Sequence, residues 1–138
     1  MLIPHFLALL AEAYEKAGQI EEGLSVLAEA LAEVDKRGER YYEAELYRLK
    51  GELTLKQSRV QSLETEAESC FHQAIAIAHR QSAKSLELRA VMSLSRLWQR
   101  QGKKEEARQR LAEIYGWFTE GFNTKDLQEA RALLQELV

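Results

Sequence analysis

The chain has 138 residues, a formal net charge of −3, 46% apolar and 30% charged residues and a single proline, which suits one compact helical domain burying roughly two thirds of its unfolded surface. Its one cysteine, Cys70, excludes an internal disulfide and cannot build a zinc site alone. No apolar run approaches the about 18 residues of a membrane span, and Met1 to Pro4 lack the basic start and long apolar core of a secretory leader, so a cytoplasmic protein is the expectation.

Pro4 suits the first turn of a helix, and Phe6, Leu7, Leu10, Ala13, Tyr14 and Ala17 recur at intervals of three and four, which predicts a first helix over about Pro4 to Ala17. Gly18 supplies a left-handed C-cap. A second helix then runs from about Ile20 to Arg37, with Glu21 and Glu22 at its positive end and Leu24, Leu27, Leu31 and Val34 as its buried stripe, until Gly38 stops it. The third helix covers about Tyr41 to Lys56, burying Leu46, Leu49 and Leu53, with Gly51 as a small residue among them. The stretch from Gln57 to Glu64 is polar and without glycine, and is expected to be the most mobile loop. A fourth helix spans about Glu64 to Gln81 over Ala67, Phe71, Ala74, Ile75 and Ala78, and a fifth spans about Ala83 to Gln101 over Leu88, Val91, Leu94, Leu97 and Trp98. After Gly102 a sixth helix reaches from about Lys104 to Phe118 over Ala107, Leu111 and Ile114. Thr124 reads as the N-cap of a seventh, with Asp126 in its first turn; Trp117, Phe118 and Phe122 are expected to pack beneath it, the alternative being an exposed aromatic docking patch.

The chain repeats itself. Moving 84 residues along, Leu10, Ala11, Tyr14, Gly18, Gly23, Leu27 and Ala30 become Leu94, Ser95, Trp98, Gly102, Ala107, Leu111 and Ile114, each keeping its size class. Gly51, Ala67, Phe71 and Ala74 fit between them around a turn that is four residues longer. Self-similarity at a long period marks a stacked helical solenoid. The expected architecture is all-α, a right-handed solenoid of three helical hairpins over about 4–37, 41–81 and 83–118, with a capping helix over about 124–137.

Leu10-Ala11-x-x-Tyr14-x-x-x-Gly18-x-x-x-x-Gly23-x-x-x-Leu27-x-x-Ala30 resembles the tetratricopeptide (TPR) repeat, although the periods of 40 and 44 residues exceed the family's about 34 and the usual proline after the second helix is absent. Glu43 to Leu53, Ala67 to Ala74, Lys84 to Ala90 and Tyr115 to Phe122 are similar to the C-terminal repeats of large bacterial signalling proteins. Those proteins set a cyclase domain or another regulator beside an AAA-type ATPase. The resemblance implies an end module of such a protein, without ATPase or cyclase machinery, whose first helix packs on a preceding repeat.

Catalytic signals are missing: there is no phosphate-cradling glycine loop, no nucleophile elbow and no paired-histidine metal motif. His72 and His79 can share a helix face, but two histidines fall short of the about four ligands of a structural zinc, so neither metal nor cofactor is expected. His5 is expected to be exposed. Carboxylate pairs such as Glu12 with Glu15 read as solvated helix faces.

Charge is unevenly spread: residues 1–78 carry net −6, residues 79–110 net +6 and residues 111–138 net −3. On the fifth helix Arg89, Arg96, Arg100 and Lys103 fall within about 60° of one another, opposite Val91, Leu94 and Trp98. In the TPR frame this is the concave groove, which His5, Ala8, Glu12, Glu15 and Lys16 line in the first repeat and Glu45, Arg48, Glu52, Leu55 and Lys56 in the second. A solvated face accounts for such residues by default. The functional reading is a partner-binding groove made of Lys16, Arg48, Glu52, Arg89, Met92, Arg96 and Arg100, whose arginines contact the carboxylates of an acidic protein, peptide or neighbouring ATPase domain. Ala8, Glu12 and Ser93 occupy the clamp positions with which chaperone-tail-binding TPR domains grip a terminal carboxylate, so that activity is not carried over. Nucleic-acid binding through the 79–110 band and self-association through an uncapped first helix are the alternatives.

Overall fold

The computed structural model describes residues 4–37, 42–57 and 61–138. Among these the chain forms seven helices and no strand: α1 (Pro4–Lys16), α2 (Ile20–Arg37), α3 (Glu43–Gln57), α4 (Gln61–Arg80), α5 (Lys84–Arg100), α6 (Lys104–Tyr115) and α7 (Lys125–Glu136). The side chains of 4–6, 35–37, 61 and 62 lie outside the description, as does Gly38, so the expectations for His5 and for the stop after α2 fall there.

Three turns share one geometry. In each, an N–H reaches back across the last helical turn: Gln19 to the Tyr14 carbonyl (2.9 Å), Ala83 to Ala78 (2.9 Å) and Lys103 to Trp98 (2.8 Å). The residue before each donor is left-handed, namely Gly18 (φ 77°), Ser82 (φ 56°) and Gly102 (φ 81°). This is the helix-ending motif that glycine serves best. Gly18 and Gly102 were legible as caps, whereas Ser82 holds the same conformation without that signal.

Helices alternate between two layers. Each helix packs on its sequence neighbours; in addition α1 meets α3, α3 meets α5 and α5 meets α7, whereas among the described residues α2, α4 and α6 do not approach one another. Odd-numbered helices therefore make one wall, and α2, α4 and α6 lie outside it, which is a solenoid of three hairpins with α7 as a fourth inner member. One core block joins Leu7, Ala11, Leu27, Ala30, Leu49 and Leu53 across α1 to α3. A second joins Phe71, Leu88, Leu94, Leu111, Leu127 and Leu133 across α4 to α7.

The repeat register is visible in the packing. Ala11, Gly51 and Ser95 are all buried. A Cβ on Gly51 would sit 3.1 Å from the Ala67 carbonyl, and Ser95 Oγ donates to the Ala107 carbonyl (3.4 Å). Ala67 and Ala107 are the matching small residues of α4 and α6, so both inner helices press one small residue against the backbone of their own hairpin partner. Close helix approach requires such residues.

Three expectations need correction. Gln61 to Glu64 are helical and Gln57 ends α3, so the stretch given as a loop over 57–64 leaves only 58–60, which lie outside the described residues. Helix α6 stops at Tyr115 rather than Phe118, because beyond Gly116 the donors tighten to three residues back, Trp117 N–H on the Ile114 carbonyl (3.2 Å) and Phe118 N–H on the Tyr115 carbonyl (3.1 Å). Trp117 and Phe122 do not pack beneath the cap: they are 57% and 45% exposed, and only Phe118 leans on the core. The chain leaves α6 three residues early, so its aromatic side chains are carried out of the inward-facing register.

Candidate functional site

The inner helices run parallel, since Glu45 and Arg48 of α3 meet Arg89 and Ser93 of α5 in the same order. Side chains at equivalent heights therefore line up along the wall. Glu45 and Arg89 are 44 residues apart, the same interval that relates Gly51 to Ser95. The repeat that stacks the cores thus also places these charges side by side.

Glu45 is the centre of this arrangement and is 6% exposed. Arg48 grips it with two bonds, Nε to Oε1 (2.7 Å) and Nη2 to Oε2 (3.1 Å), and reaches Ser93 Oγ with Nη1 (3.4 Å). Arg89 donates Nη1 to Glu45 Oε2 (2.9 Å) and Nε to Asp126 Oδ2 (2.8 Å). One guanidinium therefore ties α3, α5 and α7 together. Burial works against the charge on Arg48 and on Arg89, but the hydrogen bonds and charge of Glu45, with Asp126 for Arg89, outweigh it and hold both above the ordinary arginine value. At the other end Lys56 Nζ meets Glu15 Oε2 (3.2 Å), linking α3 to α1.

The seven residues read as a partner-binding groove meet different fates on this wall. Lys16 is solvent-exposed beside Glu12 (3.4 Å). Arg48 is half sunk and saturated by Glu45, and Met92 is buried, so neither offers free surface. Arg89 is engaged on both sides, with 41% of its side chain exposed. Arg96 has only a long contact to Glu129 (3.8 Å), and Arg100 is exposed and has no ion-pair partner among the described residues. Glu52, Arg96 and Arg100 come together at a hollow of about 300 Å³ that Leu55, Leu97 and Glu136 also line. The accessible part of the predicted groove is therefore this α5 end.

Asp126 and Glu129 were not singled out as groove residues, although they complete the wall. Their signal was faint: Asp126 reads in sequence as a first-turn dipole partner, and only the stacking of α7 on α5 turns it toward Arg89.

A larger hollow, about 630 Å³, lies on the outer side between α4 and α6. His72, Ile75, Ala76 and His79 form one bank and Glu106, Gln109, Arg110 and Glu113 the other, each set spaced as one helix face. His72 contacts Glu68 (3.4 Å) and His79 contacts Glu87 (3.5 Å), so each histidine has a carboxylate beside it. Trp98, expected in the core, is only partly buried and lines this hollow, and its indole N–H is sealed without an acceptor among the described residues. Among the described residues no three His, Cys, Asp or Glu side chains gather as a metal site would need, and no helix is long and apolar enough to cross a membrane. Neither the models of known protein families nor the curated proteins give a match to this chain.

Proposed function

We propose that this chain is a non-catalytic, TPR-like protein-interaction module of a larger cytoplasmic bacterial signalling protein, and that it binds an acidic peptide, helix or neighbouring domain on its inner wall. The observation that carries this reading is the single row of Arg89, Arg96 and Arg100 on α5, whose last two members retain unused donors at a hollow that Leu55 and Leu97 also line. Guanidinium groups in a row match carboxylates in a row.

Nucleic-acid binding is the less supported reading. The basic band of residues 79–110 divides between the two sides of the molecule: Arg89 and Arg96 engage α7, while Arg108 is spent on Glu105 (2.6 Å) and Arg110 lines the outer hollow. A phosphate backbone needs its cations on one continuous surface.

The test is fluorescence polarisation of a labelled oligoglutamate peptide against the chain. Saturable binding that falls away in Arg96→Glu/Arg100→Glu, with oligolysine inert, supports the reading. Binding that ignores those substitutions rejects it, as does equal binding of both peptides.

A further inference from the structure

The arginine row of α5 is not empty, and its occupant describes the ligand. Helix α7 runs alongside α5 and presents its carboxylates in the order of the arginines: Asp126 to Arg89 (2.8 Å), Glu129 to Arg96 (3.8 Å), and Glu136 on the same hollow as Arg100. Beside this acidic edge α7 carries an apolar stripe, Leu127, Ala130, Leu133 and Leu137, seated in the core. An amphipathic helix with one acidic border is thus already bound to the wall.

Its attachment is weaker than that of α3 and α5. Helices α3 and α5 are flanked on both sides along the wall, whereas α7 has contacts only with α5 and α6 among the described residues. It is 12 residues long, too short to be helical without its packing. Its N-cap is a long one, with Leu127 N–H 3.5 Å from Thr124 Oγ1. Elements with few packing partners open locally at a small fraction of the cost of global unfolding.

We infer that the α5 face is a seat for an acidic amphipathic helix, and that α7 is its intramolecular occupant, competing with a helix supplied by a partner. This rests on the inner-wall reading and narrows it from acidic partners in general to a helix. Such a helix places carboxylates at positions i, i+3 and i+10 and apolar residues at i+1, i+4, i+7 and i+11, the spacing of Asp126, Glu129 and Glu136 with Leu127, Ala130, Leu133 and Leu137. An extended acidic peptide satisfies the arginines but leaves the apolar seat to α7. A helix satisfies both, so it displaces α7 rather than adding to it.

The probe is a labelled peptide of the sequence from Thr124 to Val138, titrated against the intact chain and against the full-length Asp126→Asn/Glu129→Gln variant. That variant keeps the apolar stripe of its own α7 and loses the ionic part of the competition. It is expected to take up the peptide about tenfold more tightly than the intact chain, two charge-assisted contacts having been removed from the competitor alone. Adding Arg89→Glu/Arg96→Glu abolishes the gain. Hydrogen exchange of the intact chain gives a second readout, because saturating peptide speeds exchange at the α7 amides if α7 is displaced. Equal affinity of the two chains, tight binding of a scrambled peptide, or unchanged α7 exchange at saturation each overturns the inference. If oligoglutamate binds through Arg96 and Arg100 while the helical peptide binds neither chain, the helix seat falls and the inner-wall reading survives; if neither ligand binds, both fall.

Discussion

Gly51→Ala is the sharpest perturbation of the stacking. A Cβ at this position would lie 2.5 Å from Phe71 Cε1, 2.8 Å from its Cδ1 and 3.1 Å from the Ala67 carbonyl oxygen. Phe71 is fully buried, and the carbonyl belongs to the backbone of α4, so neither can turn aside cheaply. Overpacking a filled core costs about 1–3 kcal/mol, and two ring atoms under 3.0 Å put this site in the upper part of that range, about 2–3 kcal/mol; replacing a mid-helix glycine by alanine returns about 1 kcal/mol, which leaves a net loss of about 1–2 kcal/mol. Gly23→Ala is the internal comparison. Its added methyl would meet Leu53 Cδ1 at 3.0 Å, the far end of a flexible side chain, and Tyr14 Cβ at 3.4 Å. There the propensity gain of up to about 1 kcal/mol roughly offsets the crowding, and stability should change by less than about 0.5 kcal/mol. Urea unfolding at unchanged slope reads both values as shifts of the midpoint. If Gly51→Ala is as stable as the parent, or if the two substitutions behave alike, then α3 does not press on α4 at Gly51 and the small-residue register is wrong.

Glu45→Gln keeps the shape of the inner-wall hub but leaves Arg48 and Arg89 without their shared carboxylate, and should destabilise the fold by about 1–3 kcal/mol in the same assay; no loss would class these contacts with exposed pairs of negligible worth. Trp98→Phe removes a sealed N–H that has no acceptor among the described residues, so it should change stability by less than about 1 kcal/mol, and a larger loss would mean that the donor is satisfied in solution. Burial pushes the Cys70 thiol above its ordinary 9.0, so the native chain should react with a thiol reagent at neutral pH only as fast as it opens; reaction at the rate of a free thiol would contradict that burial. The same shift fixes a sign: the contribution of Cys70 is complete below pH 9.0 and is lost as pH rises through its folded value, so Cys70→Ala should flatten the decline in stability on the alkaline side.

Periodicity made the helices legible. The bounds of α2 and the buried faces of α4 and α6 follow from apolar residues at three and four, because these helices bury one stripe against the inner wall. The small residues Ala11, Gly51 and Ser95 were legible as equivalents because close packing leaves room for nothing larger. What escaped the sequence depends on tertiary contact. Gln61 to Glu64 carry no helical stripe of their own, yet they form the first turn of α4. Ser82 adopts a glycine conformation because the turn between α4 and α5 demands it, against its own preference. On α5 the pattern showed on which face Arg89 and Arg96 stand but could not show that Asp126 and Glu129 meet them, since those partners lie on a helix whose seat only the stacking decides. The site was therefore legible as a face and illegible as a set of pairs.

The most direct measurement is the amide spectrum of the isotopically labelled chain during titration with an oligoglutamate peptide. The inner-wall account predicts shift changes confined to α5, α7 and the part of α3 around Glu52 and Leu55, strongest from Arg96 to Arg100 and around Glu136, with α4 and α6 silent. Changes centred on His72, His79 and Glu113 of the outer hollow, or none at a peptide concentration that saturates polarisation, would contradict it.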